Sequence, residues 1–227
     1  MDAVTFDLKT DTLRRINQFL HKEATAGTQA TILNPGGAHH LAVGLDVPAQ
    51  VDIHGHAGYY AGGMNQLAQI TVHGNVGTGA AENMMSGLVH VTGFASGSAG
   101  ASAHGGLLVI EGDAGLRCGI SLKGGDIVVG GNVGSFSGFM AQAGRMVICG
   151  NAGDALGDSL YEAVIYIRGD IKSLGADAQI EPMTDADYAV VAELLNKAGL
   201  TADPNTFKRV ASAKTLYHWN VDASQDY

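Results

Sequence analysis

Glycine recurs at intervals of nineteen residues through most of this chain, and no other feature constrains the fold as strongly. From Gly55 onward, an apolar residue also lies four and two positions before each phased glycine, as Ile70 and Val72 do before Gly74. Alternating apolar positions are the period of a half-buried strand, not of a helix. Each unit is therefore predicted to hold one short strand followed by glycine-rich turns. The phased glycines form a predicted structural ladder: Gly36, Gly55, Gly74, Gly93, Gly112, Gly131, Gly150 and Gly169.

A unit of this size cannot bury a core alone, so the units must stack and align their columns into a continuous interior. Strands that are one period apart run in the same direction. The sequence therefore predicts an all-β fold, a right-handed single-stranded parallel β-helix with 19-residue rungs. The right hand follows from the preference of parallel crossover connections. Seven steps between glycines, at about 4.8 Å each, predict a rod about 34 Å long.

Two segments outside the repeat are predicted as helices that cap an open end or flank of the solenoid. Residues 11–26 form the first, with Asp11 or Thr12 as its N-cap. Residues 185–198 form the second, and Thr184 with Asp187 three residues later makes a capping box. The chain is thus divided into an N-terminal helical cap (1–30), a parallel β-helix (31–175) and a C-terminal helix and tail (176–227). We expect the aromatic tail to pack along the rod or onto another chain.

Composition excludes several classes of protein. The formal net charge is −9 and only 15% of residues are charged, which argues against a nucleic-acid-binding surface. No apolar run is long enough for a transmembrane helix, so no membrane association is predicted. The first residues lack the basic-then-apolar layout of a secretory signal. Cys118 and Cys149 stand in no metal-binding spacing. A reduced, cytoplasmic chain is predicted.

No catalytic, cofactor-binding or metal-binding residue is predicted. His54 and His73 share an outward column on adjacent rungs, about 5 Å apart, but two histidines without a third ligand favour a surface stack over a metal site. Cys118 lies in a column of small residues and is predicted to pack in the core. Cys149 faces outward in the column of the two histidines. A nucleophilic cysteine needs a nearby base, and the sequence places none.

One outward column is the predicted candidate interface. Three positions before the phased glycines it changes from polar residues to three valines and a tyrosine, which would leave an apolar strip outside the rod. Two alternatives remain for what covers this strip: the C-terminal helix of the same chain or a partner subunit. The strip consists of Val109, Val128, Val147 and Tyr166.

Residues 125–178 resemble the GXGXG β-helix domain at the C-terminus of the glutamate synthase large subunit, a domain type that also forms one of the subunits of formylmethanofuran dehydrogenase. Residues 55–87 and the sequence "AKTLYHW" are similar to a stand-alone version, the GlxC-type glutamate synthase subunits, which include the β-helix subunit of N-methylglutamate synthase (methylamine–glutamate N-methyltransferase). The resemblance covers nearly the whole chain. The segments "ENMMSG" and "ALGDSLYEA" make it more specific than the glycine ladder alone.

The resemblance implies a hetero-oligomeric complex with a glutamine-amidotransferase-like subunit and an FMN-binding glutamate-synthase-like subunit. FMN is then bound by the partners and not by this chain, with an iron–sulfur cluster as a further expectation there. The implied reaction converts methylamine and glutamate to N-methylglutamate and ammonia. In that family the β-helix is structural, so this chain is expected to be non-catalytic by itself.

Two alternatives stay open at this point. The chain could serve a related glutamate synthase or a formylmethanofuran dehydrogenase complex, because the choice of amine would reside in the partners. It could also be a stand-alone β-helix enzyme that acts along a groove of the rod. That class needs charged residues lining the groove, and residues 31–164 contain only nine acidic and three basic residues.

Overall fold

The computed structural model describes residues 3–216, so the predicted packing of the tail from residue 217 onward lies outside the described residues. Within the described range, eleven strands form one sheet, and two α-helices pack against the β-structure. The strands are β1 (Ala3–Asp7), β2 (Gln29–Leu33), β3 (Gln50–His54), β4 (Gln69–His73), β5 (Leu88–Val91), β6 (Leu107–Ile110), β7 (Lys123–Val129), β8 (Ala143–Ile148), β9 (Val164–Ile167), β10 (Ala178–Glu181) and β11 (Lys208–Ser212). The helices are α1 (Leu13–Lys22) and α2 (Asp185–Ala198), and a short 3₁₀ helix spans Pro204–Thr206.

Strands β1 to β9 pair in chain order and in parallel, each turn of the chain contributing one strand. The predicted parallel β-helix is therefore confirmed. β11 then pairs antiparallel with β9, and β10 pairs antiparallel with β11, which ends the parallel stack. A second ladder of single parallel bridges lies two residues after the phased glycines: Ala57, Val76, Ala95, Ala114, Val133, Ala152 and Ile171.

The register of the turn from β2 to β3 differs from the sequence period. β2 pairs with β3 at a separation of 21 residues, as Gln29 does with Gln50. Leu33 therefore lies beside His54, and Asn34, not Gly36, occupies the place next to Gly55. The prediction that Gly36 belongs to the glycine ladder is therefore wrong, because Gly36 does not lie beside Gly55. Two additional residues lengthen the turn from β2 to β3, and Gly36 lies in that turn with a φ of +55°.

From Gly74 to Gly169, the phased glycines lie directly on one another. A Cβ atom on any of them would approach the backbone of the preceding phased glycine to between 2.3 and 2.8 Å. From Gly93 onward, each phased N–H also donates to the carbonyl of the preceding phased glycine, at 2.9–3.0 Å. Real Cβ contacts are not this short, so the close approach of the turns requires glycine in this column.

The corner that follows the bridge ladder is built from three left-handed residues at alternate positions. In one turn these are Ser98, Gly100 and Ser102, with φ of 59°, 68° and 53°. Their N–H groups bond alternately to neighbouring turns: Gly100 donates to the preceding turn, and Ser98 and Ser102 donate to the following one. These three N–H groups therefore all find carbonyl acceptors, one on the preceding turn and two on the following turn. The same triplet recurs seven times, at residues 40/42/44, 60/62/64, 79/81/83, 98/100/102, 117/119/121, 136/138/140 and 155/157/159.

Helix α1 covers the N-terminal end of the stack. Thr12 is its N-cap and accepts a hydrogen bond from the Arg15 N–H, so the helix begins at the second of the two predicted caps. Ile16 and Leu20 are fully buried in the core that fills the solenoid. The N-terminal segment also contains β1, which the sequence did not predict. At the other end, Val210 of β11 joins the same core.

Candidate functional site

The predicted interface strip lies under helix α2. Its four side chains are at most 3% exposed and belong to one apolar cluster with residues of α2 and with Phe207. Of the two covers left open by the sequence, these positions contact the helix of the same chain. α2 is thus a flank cover on the outer face of the sheet, and not a plug at the end of the solenoid. The α2 side chains in the cluster are Val191, Leu194, Leu195 and Ala198.

The helix covers only the apolar part of this column. In the earlier turns the same column holds Asp52, Thr71 and His90, which are partly exposed. Polar side chains at these positions keep water contact, whereas the valines gain free energy from burial. The change from polar to apolar residues along the column therefore sets where α2 can lie.

Asp187 anchors the N-terminus of α2 to the sheet. It completes the predicted capping box with Thr184 and accepts a hydrogen bond from the Tyr166 hydroxyl at 2.7 Å. Arg209 of β11 lies 3.3 Å from the same carboxylate and also pairs with Glu181. Burial alone would raise the pKa of Asp187, but the hydrogen bonds from Thr184 and Tyr166 outweigh it and lower this pKa. Burial, together with Asp187, raises the pKa of Tyr166, so the phenol stays a donor.

Asp187→Asn is expected to lower the free energy of unfolding at pH 7 by about 1–2 kcal/mol, because hydrogen bonds to an ionised group are lost. The folded-state pKa of Asp187 lies below the ordinary value of about 3.9, so its stabilisation is fully present above that pH. It is lost as the pH falls through the lowered pKa. The difference between wild type and variant should therefore disappear in acid. Urea unfolding followed by circular dichroism, at pH 7 and in steps below pH 4, measures it.

Asp185→Asn is the matched control, since Asp185 is an exposed acid in the same first turn of α2. It should cost at most about 0.5 kcal/mol through the helix dipole. An equal loss and an equal pH dependence for the two variants would contradict the anchoring role of Asp187.

His54 and His73 form the predicted surface stack. Their ring centroids are 4.5 Å apart with an interplanar angle of 15°, and both residues are exposed. His73 Nε2 lies 2.8 Å from an Asp52 carboxylate oxygen. Throughout residues 3–216, no group of three or more His, Cys, Asp or Glu side chains is arranged to hold a metal ion.

Both cysteines are buried but in different surroundings. Cys118 lies in the solenoid core, as its column predicts, and burial raises the pKa of its thiol to about 12. Cys149 is on the outer face, as predicted, yet it is buried in the cluster beneath α2. Burial raises its pKa, although the nearby Arg168 acts in the opposite direction. Neither thiol is therefore set up as a nucleophile.

A different surface carries most of the exposed apolar side chains. It is the outer side of the left-handed corners, which we call the corner ridge, and the repeat pattern did not predict it. The available signal was that positions four, five and nine after the phased glycines hold large apolar residues on some turns and small residues on others. The exposed large residues of the corner ridge are Tyr59, Tyr60, Met64, Leu116, Phe136 and Met140.

At its N-terminal end, the corner ridge carries two pairs of stacked rings. His39 stacks on Tyr59 at 4.4 Å, and His40 stacks on Tyr60 at 5.5 Å. The tyrosine rings also lie over two glycines of the next turn, because a Cβ on Gly77 or Gly79 would meet them at 2.7–2.8 Å. Each tyrosine ring thus contacts a histidine of the preceding turn and lies close to a glycine of the following turn, and both tyrosines remain exposed.

Further along the corner ridge, three successive turns form a groove of about 540 Å³, which we call the Leu116–Phe136 groove. Leu116 is 61% exposed and Phe136 is 42% exposed, so both present apolar surface to solvent. Arg117 lies between them and is exposed as well. The lining residues are Gly97, Ser98, Leu116, Arg117, Ser135 and Phe136.

The comparisons with known proteins give one close relative. The chain is 50% identical over 224 residues to the protein GlxC of Rhizobium meliloti (strain 1021), and the match spans 97% of this chain and 98% of that protein. No protein-family model matches. Among the residues that the structure describes, no helix is long and apolar enough to cross a membrane.

Proposed function

The chain belongs to the GlxC family, and on that premise we propose that it is a non-catalytic structural subunit of a cytoplasmic glutamate-synthase-like complex. The match to GlxC runs over nearly the full length of both chains, so the whole molecule corresponds to the relative. The resemblance of residues 125–178 to the GXGXG domain of glutamate synthase points to the same kind of complex. In this proposal the chain contributes a rigid surface, and its partners perform the chemistry.

The proposed complex is N-methylglutamate synthase, which converts methylamine and glutamate to N-methylglutamate and ammonia. The partners are a glutamine-amidotransferase-like subunit and an FMN-binding subunit, and FMN supplies its chemistry within the latter. The β-helix would hold the two partners in register. A rod suits this role because its interior is filled by apolar side chains and its turns are joined by continuous backbone hydrogen bonds.

The observation that carries the proposal is the exposed apolar surface of the corner ridge in a member of this family. A solvent-exposed series of large apolar side chains, with few charges among them, is typical of a protein–protein interface. The side chains that carry charge elsewhere are largely engaged within the chain, as Asp126 is with Arg145 and Glu111 with His90. Such internal pairs stabilise the rod.

The proposal is tested by co-expressing the chain with an amidotransferase-like and an FMN-binding subunit from the same organism. We expect a single complex of all three subunits in size-exclusion chromatography, and N-methylglutamate formation from methylamine and glutamate by that complex. The isolated chain, assayed under the same conditions, should form no product.

Three results would contradict this proposal. If the chain purified alone although both partners were present, the scaffold role would be contradicted. Product formation by the isolated chain would make it an enzyme in its own right. Assembly with ammonia-dependent glutamate synthase or formylmethanofuran dehydrogenase subunits instead would assign the chain to one of those complexes.

A further inference from the structure

We propose that the Leu116–Phe136 groove binds an apolar segment of a partner subunit that carries a carboxylate, and that Arg117 forms the ion pair with it. The inference rests on the proposed function and deepens it, because it names the docking surface and the chemistry of the occupant. It is carried by two observations: the exposure of the groove walls and the unpaired charge of Arg117.

The groove offers apolar walls with small residues between them. Leu116 and Phe136 stand on successive turns, about 4.8 Å apart along the rod. Gly97 and Ser98 on the preceding turn leave space beside them. Large exposed apolar side chains next to small ones form a depression that the side chains of another protein can fill. Burial of these walls by a partner would favour binding in proportion to the apolar surface removed from water.

Arg117 supplies the charge that selects the occupant. In residues 3–216 its side chain makes no ion pair or hydrogen bond, whereas Arg145 pairs with Asp126 and Arg209 pairs with Glu181 and Asp187. Apolar and hydroxyl-bearing residues line the groove around it. A guanidinium in such surroundings is complementary to a carboxylate, which it can bind through two hydrogen bonds. A phosphate-bearing nucleic acid is disfavoured by the net charge of −9.

The corner conformation accepts many residue types, so the fold does not dictate which side chains line the groove. Arg117 and Phe136 both have a φ of +58°, in the left-handed region. The same corner position holds Gly79, Ser98 and Ala155 on other turns. Glycine adopts this conformation without steric cost, and the other residues adopt it where the stacking of the turns imposes it. The fold therefore does not require an arginine and a phenylalanine at these two positions, although Phe136 also packs edge-on against Phe139, with the ring centroids 6.0 Å apart.

This conformation allows a substitution that separates binding from folding. In the double variant Arg117→Gly, Phe136→Gly, glycine fits the left-handed positions, and this gain offsets the lost contact of Phe136 with Phe139, so the isolated chain should melt close to the wild-type temperature. Its affinity for the co-expressed partner subunits should fall at least about 30-fold, as expected for an arginine and an aromatic residue at an interface. Ala155→Gly is the matched control, because it changes the same corner position outside the groove. It should leave the affinity unchanged.

The identity of the occupant is tested by placing the photocrosslinker p-benzoylphenylalanine at position 136 of the assembled complex. We expect an adduct with a partner subunit, mapped by mass spectrometry to an apolar segment that contains Asp or Glu. Arg117→Glu should abolish assembly, and Arg117→Lys should retain it in part.

The outcomes distinguish this inference from the function on which it rests. If the wild-type chain assembles and the double glycine variant assembles with equal affinity, the groove is not the docking surface and the proposed function stands. A crosslink to a second copy of this chain would overturn the choice of occupant. If the wild-type chain does not assemble with the partners at all, the proposed function fails, and this inference fails with it.

Discussion

Gly150→Ala is expected to lower the free energy of unfolding by about 3 kcal/mol, because the new methyl group would overpack the ladder. Its Cβ would lie 2.5 Å from the carbonyl carbon and oxygen of Gly131. These are backbone atoms, which cannot rotate away, so adjacent turns would have to separate. Separation would also weaken the hydrogen bond from the Gly150 N–H to the Gly131 carbonyl, now 2.9 Å. Urea unfolding of the isolated chain measures the loss.

Gly97→Ala provides the matched control. Its Cβ would have open space except for the Leu116 carbonyl oxygen at 3.4 Å, and its φ is not in the left-handed region. The change should therefore stay within about 0.5 kcal/mol. If Gly150→Ala proved as stable as Gly97→Ala, the turns would not approach as closely as the glycine ladder requires.

Val128→Glu is expected to destabilise the chain by about 4 kcal/mol, comparable to leaving one charge of a buried pair uncompensated. Val128 is fully buried between Val109 and Val147 beneath α2. The side chains that pack around it beneath α2 are apolar, so a carboxylate there would lose its hydration and would have to be protonated or would displace the helix. Unfolding experiments, combined with limited proteolysis of α2, would measure both effects in the isolated chain.

Thr71→Glu is the corresponding control in the same column. Thr71 is partly exposed, and the neighbouring turn already carries a carboxylate at Asp52. A new carboxylate there would remain hydrated and would meet only the repulsion of the partly exposed Asp52, so the expected change is below about 1 kcal/mol. Full stability and unchanged proteolysis of the Val128→Glu variant would mean that α2 does not lie on the strip.

The ladder shows how far a repeat can be followed from the sequence. The alternation of apolar residues around the phased glycines predicted the strands and their parallel order, because a period of two matches only a strand with one buried face. The failure at Gly36 has a local cause. A glycine one full period before Gly55 satisfied the pattern, but the turn from β2 to β3 is two residues longer, and strand pairing places Leu33 beside His54.

For the two terminal helices, the sequence predicted the N-terminal ends but not the surfaces on which the helices pack. Their cap residues predicted where they begin, since Thr12 and Thr184 supply side-chain oxygens to free N–H groups. Their places in the fold differed: α1 covers the open end and α2 lies along the flank. Caps and amphipathic stripes describe one helix at a time and contain no information on which apolar surface it will meet.

The corner ridge was beyond prediction for a conformational reason. Tyr60, Arg117 and Phe136 adopt positive φ, a conformation usually associated with glycine, and the stacked turns impose it on whatever residue occupies the corner. A sequence pattern assigns such positions to turns without indicating which side chains will be exposed together. The groove beside Arg117 exists because three turns bring residues 19 positions apart into contact.

By itself, the sequence of this protein determined that its strands must stack in parallel, because only stacking can bury the apolar columns of units this small. It also determined that one outward column is apolar in its later turns. Only the tertiary structure decided that α2 covers this column and that the exposed apolar surface lies at the corners. The hydrophobic effect is non-directional, so a pattern states which side chains must leave water but not which surface will receive them.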